Sequence, residues 1–554
     1  MNLKTSLRMH LLVAPILLLT GCSAVAARTV YVSTSGDDTS VGTVEKPLHT
    51  VGKALKSASA GDTITIGAGT YREAPILMTH SGSATQPITI QGAPRAEVVL
   101  KGSQVVTSWQ DAGQGLWRVA DWKINSQQLF CDGKPLQQIG VQNPWHTKKL
   151  WADKVCLPPV GKDVKDVVPG SFFYDGTQKL LFCMLPDKSD PNQHLMEASV
   201  QPCVMDGGDQ SYVTLRHLSL MHCNGTAEGG TSGVLKVAGS GWRIEDCTLS
   251  YSDFAGISMA GDNHIVRDCK IINNGDSGIG LNGSDAAHNF RRYRERPPQN
   301  IVFEDLTVTG NNYRHFYDQW HAGGMKIIPA VRGITIRRCN VSDNEGAGIW
   351  FDGDLGSNVI EDNLVANNYT GIFYEISEPS EGDPFCAIIR NNRVVGSRNQ
   401  GIYISASRGV RVQNNTCYKN RWDIVLHGMQ RKDYGYDMQL RDNVITDNIL
   451  YGRITDLVMF LGPNSANNMA DGNFYADVKD DNSEPSVSKG VGFSATTSDY
   501  SVTHQDLGKL FQEHGFEQHG QSGDPLWVNP AALDFRLRPG SPAQGKGWQE
   551  NSRK

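Results

Sequence analysis

Gly348-Ile349-Trp350-Phe351 is the clearest copy of a short apolar motif that begins with glycine and recurs along the chain. It returns 23 residues later as Gly371-Ile372-Phe373-Tyr374. Further copies begin at Gly256, Gly278, Gly324 and Gly401. A repeat of this length is typical of solenoid proteins, in which each unit packs only against its neighbours. The motif therefore predicts one stack of similar coils and not several independent domains.

A second motif is an apolar strand that leads through a polar pair to cysteine or asparagine. Its copies end at Cys247, Cys269, Cys339, Asn363, Asn392, Asn415 and Asn443. The cysteines of this motif are expected to be small buried side chains. Asparagines stacked at one corner can form a ladder of hydrogen bonds from coil to coil. Together the two motifs predict an all-β fold, a right-handed parallel β-helix, because the signatures of leucine-rich repeats and β-propellers are absent.

The flanking sequences resemble known β-helix proteins. Val30-Tyr31-Val32-Ser33 and Gly61-Asp62-Thr63-Ile64 resemble the first coils of the pectate-lyase-like superfamily, and Asp534-Phe535-Arg536-Leu537 resembles its closing segment. Residues 129–203 interrupt the period and carry the hairpin signals Asp132-Gly133 and Asp175-Gly176, which predict an inserted β-module. In this layout the chain also resembles β-helix glycoside hydrolases of the fucosidase and xylanase type. The resemblance implies a fold and not a reaction.

The N-terminus has the pattern of a bacterial export signal. Lys4 and Arg8 precede a short apolar run, and Leu19-Thr20-Gly21-Cys22 matches a lipobox, which implies cleavage before Cys22 and lipid attachment to its thiol. Ser23 after that cysteine suggests the outer membrane, whereas an ordinary signal peptide would be cleaved near residues 24–27. The expected organisation is a signal peptide (1–21), N-terminal coils (22–128), the inserted module (129–203), the main β-helix (204–450) and a closing segment (451–554).

Composition excludes several classes of protein. The chain has 554 residues, of which 20% are charged, and its formal net charge is −6. This balance argues against a disordered polyelectrolyte and against a nucleic-acid partner. A monomer is expected. Against this background, Arg291, Arg292 and Arg294 form a local basic loop, which suits an anionic ligand unless the loop is merely solvated or contacts lipopolysaccharide.

Two acids fall at the same place in successive repeats. Asp352 and Glu375 both follow their motif glycine by four residues, so they are expected to point outward about 5 Å apart on adjacent coils. Three interpretations remain open: the carboxyl pair of a retaining glycosidase, a calcium site completed by Asp354 or Glu378, or solvated surface acids. Calcium is therefore the one candidate cofactor.

The same outward face carries aromatic and basic residues. Lys326 and His321 are candidate proton-transfer bases, with a solvated lysine and a packed corner histidine as the plainer alternatives. Aromatic side chains that suit stacking on sugar rings, together with one further histidine, are the predicted substrate-binding residues: Trp320, Trp350, Phe373, Tyr403 and His427.

These features predict an exported enzyme that acts on an extended, anionic polysaccharide. The resemblance to β-helix polysaccharide lyases favours β-elimination. In that reaction, calcium at Asp352 and Glu375 would neutralise the uronate carboxylate and make its α-proton more acidic, and Lys326 or His321 would remove that proton. The lyases' full set of calcium ligands is not matched. Hydrolysis by the same carboxylates is the first alternative. A non-catalytic envelope lipoprotein that binds glycan is the second.

Overall fold

The computed structural model describes residues 27–73, 75–140, 160–225, 232–282, 297–318, 321–429, 431–433, 436–462, 465–477, 491–494, 503–505 and 507–550. Three long parallel sheets run the length of the molecule, and each contains thirteen strands. The chain visits the sheets in turn once per coil, which gives a right-handed parallel β-helix and confirms the predicted fold class.

The three sheets are called I, II and III. Sheet I contains Thr29–Val32, Thr63–Ile66, Ile88–Gly92, Val213–Arg216, Arg243–Glu245, Ile265–Arg267, Gln299–Glu304, Arg332–Arg337, Asn358–Glu361, Ala387–Arg390, Val410–Gln413, Val444–Thr446 and Met469–Asp471. Sheet II contains Ile76–Leu77, Met205–Asp206, Gly233–Val237, Ala255–Met259, Ser277–Asn282, Gly323–Ile328, Ala347–Asp352, Thr370–Glu375, Gln400–Ser405, Trp422–His427, Thr455–Phe460, Val491–Ser494 and the antiparallel Thr503–Gln505. Sheet III contains Gly69–Tyr71, Val98–Lys101, Ser219–Met221, Thr248–Ser250, Lys270–Ile272, Thr307–Thr309, Asn340–Ser342, Leu364–Ala366, Arg393–Val395, Thr416–Tyr418, Ile449–Tyr451, Phe474–Ala476 and Gln521–Gly523.

The remaining elements are short. The inserted module has two small sheets, formed by Ser103–Val105, Leu129–Cys131, Lys134–Pro135 and Met196–Ser199, and by Gln110–Gly113, Leu116–Val119, Gln137–Ile139, Ser171–Asp175 and Leu180–Met184. Further strand pairs are Arg431–Asp433 with Tyr436–Met438, Leu440–Arg441 with Ser465–Ala466, and Trp527–Asn529 with Asp534–Leu537. The described helices are Val51–Lys56 and Leu507–His514, with 3₁₀ turns at Val164–Asp166, Pro191–Gln193 and Pro530–Ala532.

Two domain boundaries differ from those predicted. The module begins at Ser103 and not at residue 129, because its first strands carry no hairpin signal of the Asp-Gly type. Strands of the three sheets also continue past residue 450, as far as Gln521–Gly523.

The motif glycines are explained by the packing inside the coils. A Cβ atom at Gly348 would lie 2.7 Å from the carbonyl oxygen of Gly371 and 2.7 Å from the side-chain nitrogen of Asn368. Such distances are far below van der Waals contact, so only glycine fits at this corner. The apolar residues that follow it fill the interior, since Ile349, Phe351 and Ile372 are fully buried.

The asparagine ladder lies at the corner that follows sheet I. The side-chain amide of Asn363 donates to Asn392 at 2.9 Å, Asn392 donates to Asn415, and Asn415 donates to Asn448. The sequence prediction placed Asn443 in this series, and that assignment is wrong. Asn443 precedes the strand Val444–Thr446 and accepts the backbone N–H of Val410, so Asn448 takes the ladder position.

The cysteines of the second motif are buried as expected: Cys247, Cys269 and Cys339 are at most 3% exposed. Four further cysteines lie in the module region. Cys131, Cys183 and Cys203 are free thiols, and Cys156 lies outside the described residues.

The outward face of sheet I carries charges of alternating sign. One register position holds Arg216, Glu245, Arg267, Glu304, Arg337, Glu361 and Arg390 on seven consecutive strands. The ion pairs join each glutamate to the arginine that follows it, as in Glu304–Arg337 and Glu361–Arg390, both at 2.6 Å. Opposite charges on neighbouring strands stabilise a sheet, whereas like charges there are destabilising. We call this series the charge ladder.

Candidate functional site

Two columns of side chains run along the outward face of sheet II. The first column holds Lys326, Trp350, Phe373 and Tyr403, which pair directly with one another in the register. The second column lies two residues further along each strand and holds Asp352, Glu375, Ser405 and His427. The predicted outward register is therefore present, and it brings seven of the predicted site residues onto five neighbouring coils.

Asp352 is held by an ion pair with the preceding coil. Its Oδ2 atom lies 2.7 Å from the Nζ atom of Lys326. The lysine side chain is 7% exposed, so the alternative of a solvated lysine does not hold. The other carboxylate oxygen of Asp352, Oδ1, is buried and has no hydrogen-bond partner among the described residues. One oxygen of this carboxylate is thus fixed, and the other is not engaged in a hydrogen bond.

Glu375 lies beside Asp352 on the next coil. The two residues are paired in the parallel register, as the repeat spacing predicts. Neighbouring strands lie about 4.8 Å apart, so the backbone positions of the two residues are close neighbours. The indole N–H of Trp350 donates a hydrogen bond of 3.2 Å to Oε2 of Glu375. Each carboxylate is therefore oriented by a different residue of the first column.

The aromatic residues stack on one another. The ring centroids of Trp350 and Phe373 lie 4.8 Å apart, and those of Phe373 and Tyr403 lie 4.6 Å apart, with nearly parallel planes. The outer face of Trp350 is covered by the ammonium of Lys326, whose Nζ atom is 3.1 Å from the ring centroid. Because both faces of the Trp350 and Phe373 rings are occupied, these rings present only their edges to a ligand. No face of these two rings is open to stack on a sugar ring, and their role in substrate binding stays a prediction.

His427 closes this stack at its far end. Its Nδ1 atom lies 2.7 Å from the hydroxyl oxygen of Tyr403, and the two rings stack with 6.1 Å between centroids. The side chain is 2% exposed, and its burial lowers the pKa of the imidazole. His427 is therefore outward in register but enclosed by its neighbours. Its predicted role in substrate binding stays a prediction.

Asp354 is not part of this carboxylate pair. It is 1% exposed, and its Oδ2 atom accepts hydrogen bonds from the hydroxyl of Tyr374 and the side-chain amide of Asn358, both of which are fully buried. Burial raises the pKa of Asp354 to about 6. Oxygens of Asp352, Asp354 and Glu375 do not all lie within 4.8 Å of one another. The predicted calcium ligands are not brought together, because Asp354 faces the interior corner.

His321 belongs to a second polar cluster, at the edge of sheet II where its strands begin. Its Nδ1 atom lies 2.6 Å from the carboxylate of the fully buried Asp276, and its ring packs against Phe254. A buried carboxylate that holds one ring nitrogen fixes the orientation of an imidazole. His321 precedes the strand Gly323–Ile328, whereas Lys326 lies within it. The two predicted bases also contact different carboxylates, Asp276 and Asp352.

The inserted module meets the β-helix beside this second cluster. Buried Arg314 forms an ion pair with Asp253, which is fully buried, and donates a hydrogen bond to Gln138 of the module. Tyr313 and Arg314 line a cavity of about 300 Å³ together with glutamines of the module. Sequence reasoning missed Asp253 and Asp276. The available signal was an acid in the corner just before the motif glycine on two successive coils.

Several predicted residues fall outside the described part of the chain. Trp320, Arg291, Arg292, Arg294 and Cys22 are among them. Their predicted roles in substrate binding and lipid attachment therefore stay predictions. Within the described residues, neither α-helix has the length and hydropathy needed to cross a membrane.

Three family models match parts of the chain. The description "Right handed beta helix region" matches residues 232–384, "Periplasmic copper-binding protein (NosD)" matches 320–501, and "Protein of unknown function (DUF1565)" matches 34–79. None of these matches covers half of the chain. The first agrees with the architecture described above.

Two curated relatives match over short stretches. Pectate lyase PEL9 of Emericella nidulans is 31% identical over 118 residues, which are 19% of this chain and 29% of that protein. The uncharacterized protein YwoF of Bacillus subtilis is 32% identical over 114 residues, 21% of this chain and 23% of that protein. The matches thus span less than a third of either relative.

Two solved structures are similar over most of the chain. The complex of XylC with xylose has a TM-score of 0.63 at 17% identity and covers 84% of this chain and 86% of that one. A glycoside hydrolase has a TM-score of 0.53 at 12% identity, covering 81% and 95%. At such identities the likeness shows the fold, and the right-handed β-helix is confirmed.

One family description names copper, and calcium is the cation predicted from the sequence. Within the described part of residues 320–501, no three His, Cys, Asp or Glu side chains bring ligand atoms within 4.8 Å of one another. This part of the chain therefore does not fit a copper or calcium ion held by three such ligands.

Proposed function

We propose that this protein is an exported glycoside hydrolase that cleaves an oligo- or polysaccharide with Asp352 and Glu375. The observation that carries the proposal is the direct pairing of these two carboxylates on adjacent coils of sheet II. Enzymes that retain the anomeric configuration use two carboxyl groups about 5–5.5 Å apart. The strand spacing of about 4.8 Å is compatible with that separation.

Asp352 is the proposed nucleophile. Its ion pair with Lys326 orients the carboxylate for attack on an anomeric carbon. A buried oxygen without a hydrogen bond is costly, and Oδ1 of Asp352 would gain a partner when substrate binds or a covalent bond forms. Lys326 then acts by positioning the carboxylate, not by removing a proton from sugar.

Glu375 is the proposed acid and base. It would protonate the leaving oxygen when Asp352 attacks, and would then take a proton from the water that releases the glycosyl group. The indole N–H of Trp350 fixes one carboxyl oxygen of Glu375 and so directs the other. No metal is needed in this sequence of steps.

β-Elimination is less well supported. It needs a cation to neutralise the uronate and a base to remove its proton. The three predicted calcium ligands do not converge, and Lys326 is committed to Asp352 and to the face of Trp350. The expected preference for an anionic glycan depends on Arg291, Arg292 and Arg294, and it stays a prediction.

Export is supported by the match to a family described as periplasmic. Lipid attachment at Cys22 and residence in the outer membrane are proposed from the lipobox alone. Metabolic labelling with a fatty acid should mark the wild-type protein and not the variant Cys22→Ser. Equal labelling of both proteins would contradict the anchor.

The catalytic proposal is tested with neutral and acidic glycans, with and without a chelator. Wild-type protein should release reducing ends without the absorbance of unsaturated uronates, and the chelator should change nothing. Asp352→Asn and Glu375→Gln should each lower turnover by about 10³-fold. Glu361→Gln, which removes a carboxylate from the charge ladder on sheet I, should leave turnover unchanged.

Other outcomes would overturn the proposal. Absorbance that disappears with chelator would indicate a metal-dependent lyase. Full turnover by both amide variants would exclude this carboxylate pair. Glycan binding without cleavage of any substrate would support the non-catalytic alternative.

A further inference from the structure

Three residues of the inserted module bring different metal-binding atoms together. One ligand atom each from Cys131, Asp132 and His194 can be chosen so that all three lie within 4.8 Å of one another. No other set of three His, Cys, Asp or Glu side chains among the described residues meets this distance. The cluster lies far from Asp352 in the sequence and plays no part in the proposed hydrolysis.

The backbone around the cluster is firmly held. Cys131 ends the strand Leu129–Cys131 and pairs with Met196 on the antiparallel strand Met196–Ser199. The backbone N–H of Asp132 donates to the carbonyl of Leu195 at 3.0 Å, and the N–H of Leu195 donates to Oδ1 of Asp132 at 2.9 Å. The segments that carry the three side chains are thus joined by hydrogen bonds next to the cluster.

The imidazole of His194 is oriented from both sides. Its Nδ1 atom lies 2.7 Å from Oδ2 of Asp132, and its Nε2 atom lies 3.2 Å from the hydroxyl of Ser189. That hydroxyl in turn donates to Asp187. A hydroxyl that accepts the Nε2–H proton is a usual support of a histidine that binds a metal through Nδ1. The cation would therefore take the place of the proton that Nδ1 and Asp132 share.

Cys131 is partly exposed. Among the described cysteines it is the only one that is not buried. A thiolate binds Zn²⁺ at about 2.3 Å and an imidazole at about 2.0 Å, and zinc accepts sulfur, nitrogen and oxygen ligands together. Magnesium and calcium prefer oxygen ligands only, so a thiol beside an imidazole disfavours them.

We propose that Cys131, Asp132 and His194 bind one divalent cation of the zinc class. The thiol loses its proton to solvent when the cation binds, and water completes the coordination. The cation connects the hairpin turn at Asp132-Gly133 to the segment before the strand Met196–Ser199. It therefore ties the middle of the module to its last strand.

The test uses the full-length protein after removal of metal, titrated with Co²⁺ and then with Zn²⁺. Wild-type protein should bind one equivalent of Co²⁺ with the intense near-ultraviolet band of a cobalt–thiolate bond, and Zn²⁺ should displace it. Cys131→Ser should abolish the band, and His194→Ala should weaken binding by at least about 10-fold. Circular dichroism of both variants checks that they are folded.

Two matched controls separate this site from ordinary surface contacts. His519 forms the same contact with a carboxylate, 2.8 Å to Asp471, and His519→Ala should bind cobalt as the wild type does. Cys203→Ser removes a buried thiol and should also leave binding unchanged. The proposal is wrong if the wild type shows no cobalt–thiolate band, or if Cys131→Ser and His194→Ala bind as tightly as the wild type.

Discussion

The ammonium of Lys326 contacts both the carboxylate of Asp352 and the face of Trp350. Its Nζ atom lies 2.7 Å from Oδ2 of Asp352 and 3.1 Å from the centroid of the Trp350 ring. One side chain thereby fixes the first member of the aromatic stack and the first member of the carboxylate pair. The two columns on sheet II are consequently coupled at this coil.

Removal of Lys326 should reveal this coupling in the free energy of unfolding. Lys326→Met leaves a largely buried carboxylate without its counter-charge and should cost about 2 kcal/mol. Asp352→Asn in the same background should recover about 1 kcal/mol of that loss, since the unpaired charge is gone. Urea denaturation of the wild type, both single variants and the double variant measures the interaction. Strictly additive losses would show that the pair contributes no coupling.

The corner glycines provide a second prediction. Gly348→Ala would place a methyl group 2.7 Å from the carbonyl of Gly371, and we expect a loss of about 3 kcal/mol in unfolding free energy. Gly280→Ala is the matched control, because a Cβ atom there meets only the carbonyl oxygen of Ile257 at 3.8 Å. It should change stability by less than about 1 kcal/mol. Equal effects of the two substitutions would contradict the steric explanation of the motif.

The asparagine ladder predicts a large effect from one buried amide. Asn392 accepts from Asn363 and donates to Asn415 and to the carbonyl of Ile360, all at 2.9 Å. Asn392→Ala would leave these buried groups without partners and should cost about 3 kcal/mol. Gln413→Ala, on the outward face of sheet I, should cost less than about 1 kcal/mol. Thermal or urea unfolding of both variants tests the difference.

Asp354 should make stability depend on pH in a defined direction. Burial raises the pKa of Asp354 to about 6 from an ordinary 3.8, so the folded state binds more protons than the unfolded state between these values. The contribution of Asp354 is fully present below about pH 4 and is lost as the pH rises through about 6. Asp354→Asn should therefore gain stability relative to the wild type from pH 4 to pH 7, by at most about 3 kcal/mol. A constant difference between the two proteins across this range would refute the raised pKa.

The fold could be predicted because its corners constrain the residue type. Glycine is required where consecutive coils approach at Gly348 and Gly371, and asparagine is favoured where Asn363 and Asn392 form the ladder. The error at Asn443 has a local cause. The short strand Leu440–Arg441 pairs outside sheet I, with Ser465–Ala466. Asn443 therefore stands at a different corner of the coil, where its amide donates to Asn468.

The candidate site was only partly predictable. The pairing of Asp352 with Glu375 follows from their equal offset from glycine, since the register repeats with the coil. The ion pair of Lys326 and the contact of His321 with Asp276 depend on side-chain directions, which periodicity does not specify. The stacking of the aromatic rings on one another was missed for a related reason. When aromatic residues repeat at one position of a β-helix, their rings stack on one another, so the ring faces are not open to a ligand.

The charge ladder on sheet I limits how this protein can change in length during evolution. Deletion of the coil that carries Glu304 would bring Arg267 and Arg337 side by side, and duplication of that coil would place two glutamates in contact. Loss or gain of two successive coils would instead preserve opposite neighbours throughout. The sequence repeats once per coil. The smallest unit that can be inserted or deleted without placing like charges side by side on this face is nevertheless a pair of coils.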